Sequence, residues 1–325
     1  MKRDMIRIGH LSTGYHTALS AIALRALEHG GLDPVWSLFG TGPPMIKALE
    51  AGQLDIAYVG LPPAVIGIAR GARIKCVAGG HMDGTVFIAR GKYKSADEAG
   101  GERAALEQFA GKTIGSPSKG SIHDVILRAF LARHGLTGLV EVKNYSWTDL
   151  VGQAMEDGKI EAAVGTPSLQ ASLALVSGVD VKPVIPPDRL WPNNPSYGIL
   201  ATMDFMEKRP EALAEFIRIH ESLTGFIKRR PIQAAEASSR LVGMAPPEFF
   251  IECYKVSPRY CAALPEEYIQ STMRFVETLK SLGYINRMVE RDEIFDTALI
   301  HSLHPGASHY DDPLGAIGGD YPWVE

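Results

Sequence analysis

Short apolar runs alternate with stretches of helical spacing through the first two hundred residues. Buried extended runs are predicted at residues 5–10, 34–39, 55–59, 74–78 and 85–89, and again at 112–115, 140–142, 162–164 and 181–185. Between them, residues 15–28, 43–51, 62–70, 119–134, 148–157 and 168–176 carry apolar side chains at helical intervals. In residues 119–134, for example, Ile122, Val125, Ile126, Ala129 and Phe130 follow the i, i+3, i+4, i+7 rule. Such alternation predicts an α/β protein whose parallel sheets are covered by helices on both faces. Residues 95–102, rich in Gly, Ala and Glu, read as a connector. From Met203 the pattern turns wholly helical. Leu213, Phe216, Ile217, Leu223 and Ile227 share one side of a long helix, and more helices are predicted at 231–242, 246–255 and 265–282. Each opens at or near a proline, which suits a first helical turn. The tail from His301 is rich in Gly, Pro, His and Asp and reads as irregular chain.

One phrase occurs twice. "KALEAGQLDIAYVGLPPA" (residues 47–64) and "QAMEDGKIEAAVGTPSLQ" (153–170) both place a glycine after a helix, an acid before a small apolar run, and a Gly-X-Pro turn after it. Gly52 and Gly158 are natural left-handed helix stops. In each copy a strand then delivers its carboxyl end to a new helix N-terminus, which is where open α/β sheets bind ligands. Two copies predict two similar lobes offering their strand ends to a common cleft.

Composition narrows the class. The chain has 325 residues, 46% hydrophobic and 22% charged, with a formal net charge of −4. The mild negative charge excludes the basic footprint of a nucleic-acid binder. No apolar run approaches the roughly 18 residues of a spanning helix. "MKRDMIRIGHLS" passes directly from charges into a strand, without a secretory leader. The expectation is therefore a cytoplasmic chain, or a periplasmic or extracellular one whose leader has been removed. Cys76, Cys253 and Cys261 are expected to make neither a disulfide framework nor a metal cluster. The tail histidines His301, His304 and His309 lack a companion cysteine in sequence and match no established metal spacing, so no metal or cofactor is expected. No G-x-S-x-G, H-E-x-x-H, Walker or full G-x-G-x-x-G motif is present. That favours binding over catalysis.

The segment "LFGTGPPMIKALEAGQLDIAYVGLPPAVIGIARGARIKCVAGG" and the later "GKTIGSPSKGSIHDVILRAFLARHGL" resemble, in order as well as wording, type II periplasmic binding proteins of the nitrate, sulfonate and taurine group. The resemblance covers roughly residues 5–230. It implies a two-lobed clamshell: lobe I from residues 1–90, lobe II from 91–199, and 200–325 returning to lobe I as packed helices and an irregular tail. The crossings would lie near "FIARGK" and "YGILAT". It also implies a monomer that holds a small anionic or polar organic solute between its lobes, and an ABC transporter permease as partner. The same superfamily contains thiamine-pyrimidine synthases and cytoplasmic menaquinone-pathway enzymes, so the alternative is a cofactor-biosynthesis enzyme on the same clamshell. The synthases' cysteine-rich motif is absent here. A cytoplasmic ligand sensor is a third reading.

Candidate ligand contacts follow from the strand ends. "HLSTGYH" offers Ser12, Thr13, Gly14, Tyr15 and His16; Ser12 and Thr13 alternatively cap only their own helix. "GTGPP" offers Gly40, Thr41 and Gly42, where the backbone can approach a ligand. The lobe I copy of the phrase offers Leu61 and Pro62, and the lobe II copy offers Thr166. "SPSKGSIHD", with Ser116, Lys119, Gly120 and Ser121 around a helix start, is the best anion site in the sequence. Tyr197 and His81 complete the set. A catalytic version of the cleft would use His16 or His81 as acid or base.

Overall fold

The computed structural model describes residues 4–315. Ten strands are present among them: β1 Asp4–Leu11, β2 Leu32–Phe39, β3 Ile56–Val59, β4 Ile74–Met82, β5 Val86–Arg90, β6 Thr113–Pro117, β7 Glu141–Tyr145, β8 Ala162–Gly165, β9 Val181–Ile185 and β10 Pro195–Thr202. They form two five-stranded sheets, ordered β2-β1-β3-β10-β4 and β7-β6-β8-β5-β9. In the first sheet β1 runs parallel to β2 and β3, and β10 runs antiparallel between β3 and β4. In the second, β6 runs parallel to β7 and β8, and β5 runs antiparallel between β8 and β9. The two sheets are the same design. In each, the antiparallel strand is the one the chain makes on arriving from the other lobe.

This explains the duplicated phrase. β3 and β8 hold equivalent places, and every residue of both is buried. Gly52 (φ 66°) and Gly158 (φ 69°) both take the left-handed conformation that ends the preceding helix. Gly60 then opens the Leu61–Ala69 helix and Thr166 opens Pro167–Ala171, each with proline in its first turn.

The lobes meet a few residues earlier than the sequence suggests. "FIARGK" overlaps β5, which belongs to the lobe II sheet, and "YGILAT" lies in β10, which belongs to the lobe I sheet. The crossings are residues 83–85 and 186–194. Both carry a non-glycine residue in the left-handed region, Asp83 (φ 59°) and Asn193 (φ 54°), and Asp and Asn tolerate that region best. Asp83 and Asn194 exchange bonds: Asp83 N–H donates to Asn194 O and Asn194 N–H to Asp83 Oδ1, both at 2.8 Å. Arg259 from the C-terminal segment donates to Asp83 Oδ2 at 2.7 Å and Asn193 Oδ1 at 2.8 Å, binding the crossings together.

The predicted helices form, with differences at their ends. Residues 15–28 give two pieces, Thr17–Ala23 and Ala26–His29, because Arg25 takes φ 50° and breaks the hydrogen-bond ladder. Residues 95–102 are not a plain connector. They hold Ala96–Ala99, closed by a reciprocal Ser95–Glu98 capping box, and the start of Glu102–Glu107. Helices Pro210–Arg229, Pro231–Val242 and Glu266–Ser281 pack behind lobe I, while Pro247–Val256 bridges from Pro231–Val242 to the lobe II helix Pro167–Ala171. Short helices Arg291–Ile294 and Ala298–Leu303 follow, so the irregular tail begins at His304; the part beyond residue 315 lies outside the described residues. The C-terminal chain covers the free edge of β4. Gly79 N–H donates to Ala262 O at 2.7 Å, and Cys261 N–H donates to Gly80 O at 3.3 Å. Gly79 has no room for a side chain, since a Cβ there would collide with Tyr310 Oη and Ala263 O.

Candidate functional site

A small cavity lies between the lobes, where the strand ends of both sheets face each other. Leu11, Tyr15, His16, Gly40, Thr41, Gly42, Gly60 and Pro63 wall it from lobe I. Pro117, Ser121, Ile122, His123, Thr148 and Thr166 wall it from lobe II, with Ser196 at the crossing side. Its volume is about 20 Å³, little more than an ordered water needs. Direct bonds hold the lobes shut. Gly14 N–H donates to Ser168 Oγ at 2.7 Å, and Ser118 Oγ donates to Thr41 Oγ1 at 2.7 Å. The Trp147 ring lies so close to Gly40 that a Cβ there would strike it.

Four helices of nine or more residues begin at this cavity: Gly42–Glu50, Leu61–Ala69, Ile122–Arg133 and Thr148–Glu156. Each directs the positive end of its dipole there, although Pro43, Pro44, Pro62 and Pro63 remove N–H donors from the first two helices. No charged side chain lines the cavity among the described residues. Several buried polar atoms have no partner: Thr13 Oγ1 and His16 Nδ1 in lobe I, and Ser116 Oγ and Thr166 Oγ1 in lobe II. His16 and Thr166 line the cavity, while Thr13 follows β1 and Ser116 is the next-to-last residue of β6. Unpartnered buried polar groups are rare, and each costs about 1–3 kcal/mol.

Behind the lobe I wall lies a packed cluster of rings. His16 packs on Tyr197 with centroids 4.1 Å apart, Tyr15 contacts His81 at 4.8 Å, and His81 contacts Tyr260 at 4.5 Å. Tyr197 Oη accepts from Thr17 N–H at 3.3 Å and lies 3.2 Å from Thr17 Oγ1, which in turn is 3.1 Å from His220 Nδ1. His220 Nε2 donates to Gly79 O at 2.8 Å, so Nδ1 is its accepting nitrogen. On the lobe II side, Thr85 Oγ1 accepts from Asn194 Nδ2 at 2.9 Å and sits 3.2 Å from His123 Nδ1. Burial pushes His81 and His123 down to about 3 and His220 down to about 4. His16 falls well below the ordinary range through burial and then through His81 and its other histidine neighbours. All four are neutral imidazoles at neutral pH.

Several expected contacts lie elsewhere. Ser12 is exposed. Leu61 is buried in the lobe I core, and Pro63 rather than Pro62 reaches the cavity. Tyr197 and His81 support the wall from behind, and His81 Nε2 is occupied by Ser257 O at 2.7 Å. His81 does not line the cavity, so it is not placed to act there as an acid or base. The anion site expected around "SPSKGSIHD" is corrected most. The helix start already holds an anion, the protein's own Asp124. Gly120 N–H donates to Asp124 Oδ2 at 2.8 Å, and Ser121 Oγ accepts from Asp124 N–H at 3.3 Å. Lys119 is exposed and points outward, its Nζ 5.9 Å from the centre of the Tyr284 ring. His123, Ile122, Thr148 and Ser196 line the cavity without having been foreseen. His123 and Ile122 were findable, since both occupy the first turn of a helix already expected to open at the cleft.

Two α/β lobes closed over a cavity of strand-end loops and helix N-termini make up the type II periplasmic-binding-protein fold. The chain belongs to the NMT1-like family, whose model matches residues 17–242. A Brucella abortus protein provisionally named a binding protein is 26% identical over 249 residues, 73% of this chain and 71% of that one. The alkanesulfonate-binding protein SsuA of Xanthomonas axonopodis pv. citri, bound to MOPS, is similar at a TM-score of 0.76 and 16% identity. The match covers 91% of this chain and 99% of that one. The nitrate-binding protein NrtA of Synechocystis reaches 0.76 at 13% identity, over 97% of this chain and 92% of its own. No helix among the described residues is long and apolar enough to cross a membrane.

Proposed function

We propose that this protein is the solute-binding component of an ABC-type importer, holding a small polar molecule between its lobes and presenting it to a membrane permease. The observation that carries this reading is the pair of unpartnered buried atoms, His16 Nδ1 from lobe I and Thr166 Oγ1 from lobe II, at one interlobe cavity, with Thr13 Oγ1 and Ser116 Oγ unpartnered at the adjoining strand ends. A ligand that pairs with them relieves costs that the closed protein otherwise bears. Hydroxyls, neutral imidazoles and helix N-termini together favour a ligand rich in hydrogen-bond acceptors, such as a sulfonate, a carboxylate or an inorganic oxyanion. Sulfonate and nitrate binding in the structural relatives accords with that chemistry. Because the cavity is too small for an organic ligand in its closed form, entry requires the lobes to part at residues 83–85 and 186–194. Delivery to an importer places the working protein outside the cytoplasmic membrane.

Titration calorimetry against short alkanesulfonates, carboxylates, nitrate and pyrimidines tests the reading, with small-angle scattering to follow closure. At least one ligand should bind and compact the protein. Replacing Ser116 with Ala and Thr166 with Val together should weaken that ligand about tenfold or more, as the loss of roughly 1.4 kcal/mol of hydrogen bonding would. Unchanged affinity in the double variant, or no binding across the panel, would sink the assignment.

A further inference from the structure

Spacing alone gives His304 and His309 no companion cysteine; the fold supplies one. Cys261, fully buried, places Sγ 3.3 Å from His304 Nε2 and 3.3 Å from His309 Nδ1. Glu221, from the Pro210–Arg229 helix, brings Oε1 to 3.7 Å from His304 Nε2 and 3.5 Å from His309 Nδ1. All four atoms lie within 4.8 Å of one another. We propose that Glu221, Cys261, His304 and His309 form a structural zinc site that fastens the C-terminal arm to lobe I.

The geometry suits the ion. A tetrahedral zinc with a sulfur at about 2.3 Å and nitrogen or oxygen at about 2.0–2.1 Å spaces its ligand atoms roughly 3.3–3.6 Å apart. The four separations above fall at or near that range. One thiolate, one carboxylate and two neutral imidazoles balance a divalent charge, and binding releases the thiol proton. A thiolate with imidazoles selects a borderline-soft metal over magnesium or calcium.

The groups around the cluster are arranged as supports. His309 Nε2 faces Thr224 Oγ1 at 3.4 Å, the outer hydrogen bond that fixes a ligating ring. Glu221 Oε2, the oxygen not facing the cluster, accepts from Ala262 N–H at 2.9 Å and from Thr224 Oγ1 at 3.2 Å. Lys228 and Arg229 are nearby cations, and the Lys228 ammonium donates to the carbonyls of His309 and Tyr310, holding the arm in place. The ligands come from three separated stretches: a lobe I helix, the chain along the β4 edge, and the arm after Ala298–Leu303. With all four positions supplied by protein, the site is closed, which marks a structural rather than a catalytic zinc. The cluster belongs to the back of lobe I and involves none of the residues that line the interlobe cavity.

Cobalt(II) added to chelator-treated protein is the direct probe, followed by zinc as competitor. The expected result is one cobalt per chain, a thiolate-to-cobalt charge-transfer band, tetrahedral d–d absorption, and loss of both on adding zinc. Cys261→Ser should lose the charge-transfer band. Thr224→Val, which leaves every ligand in place, should weaken cobalt about 10-fold or more. Zinc should raise Tm for the natural sequence and not for His309→Gln. Should Cys261→Ser fail to fold by circular dichroism, the natural protein and Thr224→Val still decide the matter. No stoichiometric cobalt in the natural protein, an octahedral spectrum without charge transfer, or an unaltered spectrum in folded Cys261→Ser would each overturn the site.

Discussion

Acidification is expected to unfold this protein cooperatively at about pH 4–5, well before its carboxylates are fully protonated. His81 and His123 are held down to about 3 and His220 to about 4, with His16 also well below the ordinary range. In every case burial is the largest cause. The unfolded chain takes up these protons at an ordinary histidine pKa of about 6.5, whereas the folded chain refuses them until far lower pH. Below about pH 6.5 the unfolded state therefore binds more protons, and stability falls as pH falls. Each histidine contributes up to about 1.4 kcal/mol per pH unit across its window, so four contribute up to about 5.6 kcal/mol per unit. Three carboxyls act in the other direction. Burial raises Asp83, Asp149 and Glu221, which then gain protons more readily when folded. Their effect opens at their raised folded values, above the unfolded carboxylate range of about 4, and is complete near that range, so it offsets only part of the histidine slope. A domain with about 5–15 kcal/mol of stability does not survive that slope for long. Urea denaturation between pH 7 and 5 would measure it, and His123→Gln should flatten it by one histidine's share. A stability that stays level down to pH 4.5 would refute the claim.

Replacing Asp124 with Ala is expected to cost about 3 kcal/mol or more. The carboxylate is fully buried and accepts from Arg128 Nε at 2.8 Å, Asn144 Nδ2 at 2.9 Å and Gly120 N–H at 2.8 Å. Tyr284 Oη, from the chain following the Glu266–Ser281 helix, donates to it as well. Removing the anion leaves all four donors without their acceptor, and leaves Arg128 against Asn144 without its counter-charge. Asp124→Asn keeps the volume and one accepting oxygen, so about half the loss should return. The bond from Tyr284 also ties lobe II to the helices behind lobe I, so Asp124→Ala should shift the scattering profile toward a more open form. Denaturation midpoints together with scattering check both effects. A loss below 1 kcal/mol with unchanged dimensions would show the network to be incidental.

Much of this architecture was legible in the chain because its signals are local. Nine of the strands rest on short apolar runs, and the repeated Gly-acid-apolar-Gly-X-Pro phrase marked equivalent places in two sheets. β10 escaped because Pro195 and Gly198 interrupt its sequence; only its position between β3 and β4 makes it a strand. The helix start at Ser121 was visible as a site with spare donors. What could not be seen was that Asp124, one turn on, folds back to take them. Direction of this kind is not written in spacing. The same holds for Cys261, whose partners stand 43 and 48 residues away, and for Lys119, whose charge is attractive on paper and faces outward in the fold. Residues whose role depends on chain distant in sequence are the ones that sequence pattern misplaces.

The two sheets differ in when they can be completed during synthesis. All five strands of the second lie between Val86 and Ile185, so a nascent chain that has just emerged to that point already holds everything it pairs. The first sheet has four strands waiting by Met82, but the one that belongs between β3 and β4 does not exist until residue 195 has been added. Until then two neighbouring edges stand apart with their amides unpaired. The half that is made first is thus the half that finishes last.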